Sequence, residues 1–170
     1  MAAGVEFKDF SIEVAEALDE TAIAAVLEIA AEITSQAQRT CVMEDDVGKR
    51  LKGSYDFTQT DSSKAEAMVG TPLEEGFWEE WGTGEYAAHG DGRKGWWVYI
   101  KGEASKGGGK SYATKEEAEE AAAFLRIVKG LDAVVTNGRP PNYTLEKAFQ
   151  SKQAWAKKHA AEMLKERMEK

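Results

Sequence analysis

The sequence predicts an α+β fold: a long N-terminal helix packed on a small antiparallel sheet of about four strands, with a second helix and a long C-terminal helix. Two observations frame this. Near each end of the chain, apolar residues recur at spacings of three and four over many turns, as one face of an α-helix requires. Between those stretches lie short runs of β-branched and aromatic residues, bounded by residues that form turns. At 170 residues, 42% of them hydrophobic, the chain suits a single domain that buries its core without disulfide or metal.

Each element has its own signal. Val5, Phe7 and Asp9 alternate with Glu6, Lys8 and Phe10, so residues 5–10 read as a short strand or extended lead-in. Residues 11–39 read as a helix whose inner stripe is Ala15, Leu18, Ala22, Val26, Ile29, Ile33 and Ala37. Acids in its first turns, Glu13 and Glu16, suit the positive end of the helix dipole. Residues 41–53, with Glu44-Asp45-Asp46, Gly48 and Gly53, read as a loop. Residues 54–60 and 65–70 form a hairpin around Asp61-Ser62-Ser63. Pro72 opens a short acidic helix over residues 73–81, and five glycines make 82–95 a loop. Trp96-Trp97-Val98-Tyr99-Ile100 is a strand buried on at least one face.

A second loop covers residues 102–113, and Thr114-Lys115-Glu116-Glu117 is a capping box that opens a helix to about Val128. Its inner face is Ala118, Ala121, Ala122, Leu125 and Val128, and Gly130 ends it. Residues 132–136 are a short strand, and Asn137-Gly138-Arg139-Pro140-Pro141 is a turn that no helix crosses. The last helix starts near Thr144 with an inner stripe of Leu145, Phe149, Lys152, Ala156, Ala160, Met163 and Arg167. That stripe turns polar, so residues 156–170 are expected to project or to pack on a partner.

Several function classes recede on composition. Cys41 is the only cysteine, which excludes an internal disulfide and a thiolate metal cluster. No apolar run approaches the roughly 18 residues of a membrane span, and residues 1–8 carry no secretion pattern, so folding in a reducing cytoplasm is expected. The net charge of -8 would repel a phosphate backbone. That charge is uneven: residues 151–170 hold six basic and three acidic side chains, net +3, leaving -11 on residues 1–150.

No candidate for chemistry survives inspection. Ala104-Ser105-Lys106-Gly107-Gly108-Gly109-Lys110-Ser111 ends like a phosphate-binding loop, but Ala104 replaces the opening glycine and the capping box delays the helix to Thr114. His89 and Asp91 could supply two metal ligands where three or four are needed, and His159 sits among lysines as a solvated side chain. Among the paired carboxylates only Glu79 and Glu80, beside Phe77, Trp78 and Trp81, come near the apolar setting that catalysis demands. No catalytic, cofactor-binding or metal-ligating residue is assigned, and no cofactor is expected. The tryptophans are more informative. Trp78, Trp81, Trp96 and Trp97 flank one glycine loop, and adjacent Trp96 and Trp97 must point to opposite faces of a strand. Either the sheet has core on both sides or one of the two belongs to a subunit interface.

Three motifs occur in order: Gly48-Lys49-Arg50-Leu51-Lys52-Gly53-Ser54, then Glu80-Trp81-Gly82-Thr83-Gly84, then Asn137-Gly138-Arg139-Pro140-Pro141-Asn142-Tyr143-Thr144-Leu145 running into Ala148-Phe149. Together they resemble the neck and tail-completion proteins of long-tailed bacteriophages, also called minor capsid or head–tail joining proteins. The resemblance covers about residues 5–155. It departs from the family pattern at Cys41-Val42-Met43-Glu44-Asp45-Asp46, which lacks the usual proline, and loops 84–95 and 102–113 look like insertions.

The resemblance implies a non-enzymatic part of the junction between capsid and tail, a homo-oligomeric and most simply hexameric ring. Its partners would be the head–tail connector and a tail terminator or tail tube protein, with DNA only passing through and no membrane involved. It would reside in the virion, at the neck or tail end, and in the host cytoplasm during assembly. The implied fold-signature or interface residues are Gly48, Leu51, Ser54, Trp78, Glu80, Trp81, Gly82, Thr83, Trp96, Trp97, Arg139, Asn142, Tyr143 and Phe149. Two rival readings come from other classes: an acidic DNA mimic that blocks a basic cleft, and a small nucleotide-binding enzyme using Lys110 and Ser111.

Overall fold

The computed structural model describes residues 11–42, 46–101 and 109–169, with side chains from residue 16 onward. The strand expected over 5–10 and most of the glycine run of the second loop lie outside the described residues. The architecture is α+β, with long helices at both ends and small antiparallel sheets between. Where the sequence reading counts one domain, contacts group the chain into two compact units, residues 1–72 with 144–170 and residues 73–143.

The first unit is built on two long helices, α1 (Ser11–Thr40) and α5 (Thr144–Met168), which pack along each other. Ala25, Ala30, Ile33 and Ala37 of α1, and Cys41 just after it, are buried in this unit's core. An ion pair explains Lys152 on the inner stripe of α5, and a second one ties down His159 beside that stripe. Lys152 Nζ lies 2.6 Å from Glu32 Oε1, and His159 Nε2 lies 2.6 Å from Glu28 Oε2. His159 also stacks on Trp155 at 4.9 Å, so it is anchored rather than solvated. Helix α5 therefore follows α1 at least as far as residue 159.

Residues 41–53, expected as a loop, instead contain helix α2 (Asp46–Ser54). Asp46 supplies an acid to its first turn and Lys52 a base to its last, and Leu51 is fully buried. Its two glycines disguise the element, yet Gly48 is accepted because it faces the core. The hairpin matches the sequence reading: β1 (Asp56–Gln59) pairs with β2 (Ala67–Gly70) in the register Asp56↔Gly70 through Gln59↔Ala67. Asp61 shapes its turn, accepting hydrogen bonds from the Ser63 amide and hydroxyl.

The second unit begins with α3 (Glu74–Trp81), then β3 (Thr83–Gly84) and β4 (Trp96–Ile100). It continues through β5 (Ser111–Tyr112), α4 (Lys115–Lys129), β6 (Ala133–Thr136) and β7 (Gly138–Arg139). Strand β4 is central in the sheet β5-β4-β6, while β3 pairs with β7 in a separate ladder. Among the described residues the strands thus spread over three small antiparallel sheets. Helix α4 is capped as expected: Thr114 Oγ1 accepts from the Glu117 amide, Glu117 Oε2 accepts from the Ala113 amide, and Gly130 closes the end in the left-handed conformation. Its inner face is narrower than the sequence suggests. Ala118 and Ala122 are buried, whereas Val128 is exposed.

Candidate functional site: the junction of two motifs

The first of the three motifs is core. Gly48 and Leu51 are buried in α2, and Ser54 Oγ donates to the Leu51 carbonyl while lying 2.6 Å from Thr71 Oγ1. The other two meet in the second unit, where the close of α3 and strand β3 lie against β7 and the residues after it. Glu79, on the buried face of α3, is the centre of this junction. Its side chain is fully buried, with Oε2 2.9 Å from an Arg139 guanidinium nitrogen and Oε1 accepting from Asn142 Nδ2 at 3.1 Å. Main-chain bonds repeat the link: the Asn142 amide donates to the Glu79 carbonyl and the Tyr143 amide to the Glu80 carbonyl. Thr83 Oγ1 accepts from the Arg139 amide at 3.0 Å.

Glycine makes this approach possible. At Gly82, with φ +72°, a Cβ would stand 2.7 Å from the Arg139 carbonyl oxygen and 2.8 Å from Pro141 N. Gly84 and Gly138 are direct partners across the β3–β7 ladder, where a Cβ at Gly84 would run into the Asn137 carbonyl and the Trp97 ring, and one at Gly138 into the Thr83 carbonyl. Aromatic rings seal the outside. Tyr143, itself at φ 53°, sets its ring edge-on to Trp81 at 6.0 Å, and His89 leans on the same indole at 4.8 Å. Trp78 is half-buried on α3, and its carbonyl accepts from the Gly82 amide. Glu80, the acid of the second motif, is buried too.

Trp96 and Trp97 do point to opposite faces. Lys115, at the start of α4, lies over Trp96 at 5.7 Å, whereas Arg93 lies over Trp97 at 5.0 Å, next to Gly84. Both indoles are half-buried. Phe149 is on α5 in the first unit, more than half exposed. The junction therefore unites Glu80, Trp81, Gly82, Thr83, Arg139, Asn142 and Tyr143, but not Gly48, Leu51, Ser54 or Phe149.

Sequence reasoning missed Glu79 as the pivot and favoured its neighbour Glu80. The available signal was the pair of donor side chains Arg139 and Asn142 in the third motif, three residues apart and with no carboxylate within three residues of either. Chemically, the junction holds a carboxylate in a fixed bridge of cation and amide. The other candidates for chemistry stay apart from it. Lys110 and Ser111 lead into strand β5, with Lys110 over the Tyr112 ring, so no helix N-terminus follows them directly. Among the described residues no group of three His, Cys, Asp or Glu side chains could hold a metal ion. No helix among them is long and apolar enough to cross a membrane. Comparisons with protein-family profiles, with curated proteins and with solved structures found no match.

Proposed function

We propose that this chain is a structural virion protein of the phage head–tail junction, a neck or tail-completion component that joins copies of itself into a ring between capsid connector and tail. The observation that supports this most is the interlocking of the second and third motifs around Glu79, Arg139 and Asn142. Their polar groups are turned on one another, and their glycines are spent on close backbone approach. Such residues define a rigid body, and the surface that remains is suited to contact. Phe77, Tyr86, Phe124, Ile127 and Val128 are large, apolar and exposed. A ring of identical copies needs two different surfaces that meet head to tail and close. The -11 charge of residues 1–150 would keep passing DNA from adhering to such a conduit.

Native mass spectrometry with negative-stain imaging of the purified full chain tests the ring. A closed oligomer, hexameric in the simplest form, is expected; a chain that stays monomeric at every concentration would count against the reading. Lys110→Ala separates it from the nucleotide-enzyme alternative. Assembly is expected to survive that change, and nucleotide binding abolished by it would favour the enzyme.

A further inference from the structure

Resting on that reading, we propose the contact that joins one copy to the next: a cationic edge of the second unit, built on Arg93, Lys94, Lys110 and Lys115, takes the acidic face of α1 of a second copy. Contacts draw this edge together. Arg93 donates to Ser111 Oγ at 2.8 Å and to the Gly109 carbonyl, and its guanidinium lies over Trp97. Lys94 follows it in the chain and is exposed. Lys110 Nζ lies 5.0 Å from the centre of the Tyr112 ring. Tyr112 pairs across the ladder with Trp96, and Lys115 stands over that indole. The four cations therefore straddle β5, the two-residue strand at the margin of its sheet.

What this edge lacks is an anion. Among the described residues, none of the four cations forms an ion pair within the chain. Two carboxylates reach the edge, but Glu85 accepts from the Gly95 amide and Glu117 from the Ala113 amide. Arg93 bonds through Nε and one terminal nitrogen, so the other is open, and a guanidinium fixed in this way is set for a carboxylate. Cations already cover the faces of Trp96, Trp97 and Tyr112, which favours a carboxylate partner over a stacked nucleic-acid base. Tryptophan, tyrosine and arginine are also the side chains enriched where protein interfaces bind most strongly. The first unit offers the complement. Glu16, Asp19 and Glu20 stand on one side of α1, all exposed and without an ion pair or hydrogen bond of their side chains. The exposed acids of α4, Glu116, Glu117 and Glu120, begin next to Lys115 and so belong to the same surface as the cations. A head-to-tail contact needs two separate surfaces, which the cationic edge and the face of α1 provide, and it repeats from copy to copy until it closes.

The test reverses each charge set in the full chain and reads assembly by native mass spectrometry, with thermal unfolding to check that each variant folds. Arg93→Glu with Lys110→Glu should weaken assembly by about tenfold or more, and so should Glu16→Lys with Glu20→Lys. An equimolar mixture of the two variants should assemble again, with the variants alternating, because every contact then joins opposite signs. A carbodiimide, which joins a lysine directly to a carboxylate, tests the wild-type chain itself. In a mixture of light and heavy-isotope chains it is expected to link Lys94 or Lys110 of one chain to Glu16, Asp19 or Glu20 of another. Reversed variants that assemble like the wild type would overturn this contact while leaving the ring standing. So would a folded pair of variants that fails to assemble when mixed, or a carbodiimide link that closes only within one chain. Binding of a DNA duplex that Arg93→Glu with Lys110→Glu abolishes would give the edge to a nucleic acid instead. A wild-type chain that forms no ring would overturn both this contact and the reading on which it rests.

Discussion

Gly82→Ala would force a Cβ against the Arg139 carbonyl at a φ that L-residues avoid, at a cost of about 1–3 kcal/mol from the backbone alone. Chemical denaturation of the variant should show at least that loss. Arg139→Ala should be worse, by about 3 kcal/mol, because it removes the cation from a carboxylate that has no exposure to water. Glu79→Gln should cost less, since the amide oxygen can still accept from Asn142 and the cation left without its counter-charge, Arg139, keeps partial access to water. Glu32 supplies a pH-dependent case. The hydrogen bond from Lys152 is the main reason its carboxyl sits below the ordinary glutamate range, with the charges of Lys152 and Arg39 adding to the effect. A lowered folded value means that the contribution is complete above the ordinary range and fades as pH falls through the folded value. The wild-type chain should therefore lose more stability than Glu32→Gln between about pH 5 and pH 3, measured as the shift in unfolding midpoint. At this scale the sequence revealed residue types better than roles. The third motif names Arg139 and Asn142, but which of two adjacent glutamates they grip depends on how an eight-residue helix is rotated, and periodicity over two turns does not settle that.

Elements with strong local chemistry were legible. The capping box and Gly130 define α4 to within a residue or two, and Thr114→Ala should cost about 1 kcal/mol, read from thermal or urea unfolding. The β1–β2 hairpin follows from its alternation and from Asp61, while the long stripes of α1 and α5 needed only the helical period. Helix α2 was not legible, because glycines at positions 48 and 53 mimic a loop and the burial of Leu51 that stabilises it is tertiary. Strands β3 and β7 were hidden for a related reason. Each is two residues long, and their pairing joins positions more than fifty residues apart. Local propensity carries no information about such a contact. The exposed Val128 has the same origin: helical spacing places it near the inner stripe, but only the sheet beneath α4 decides how wide that stripe is.

For the whole molecule, the α+β class was legible from two amphipathic stripes and the short strands between them, whereas the grouping into two compact units was not. The third motif spans that division. Residues through Tyr143 close the second unit, and Thr144 begins α5 of the first. The rigid junction around Glu79 supplies the frame, and in the proposed reading the exposed apolar residues supply surface for other copies. Quantitative mass spectrometry of density-purified tailed particles from the source culture, counting this chain against the major capsid protein, tests the central claim most directly. The head–tail junction reading predicts a few to a dozen copies per particle, which a particle reconstruction would place at the neck. Particles with intact tails that contain none of this chain would contradict it.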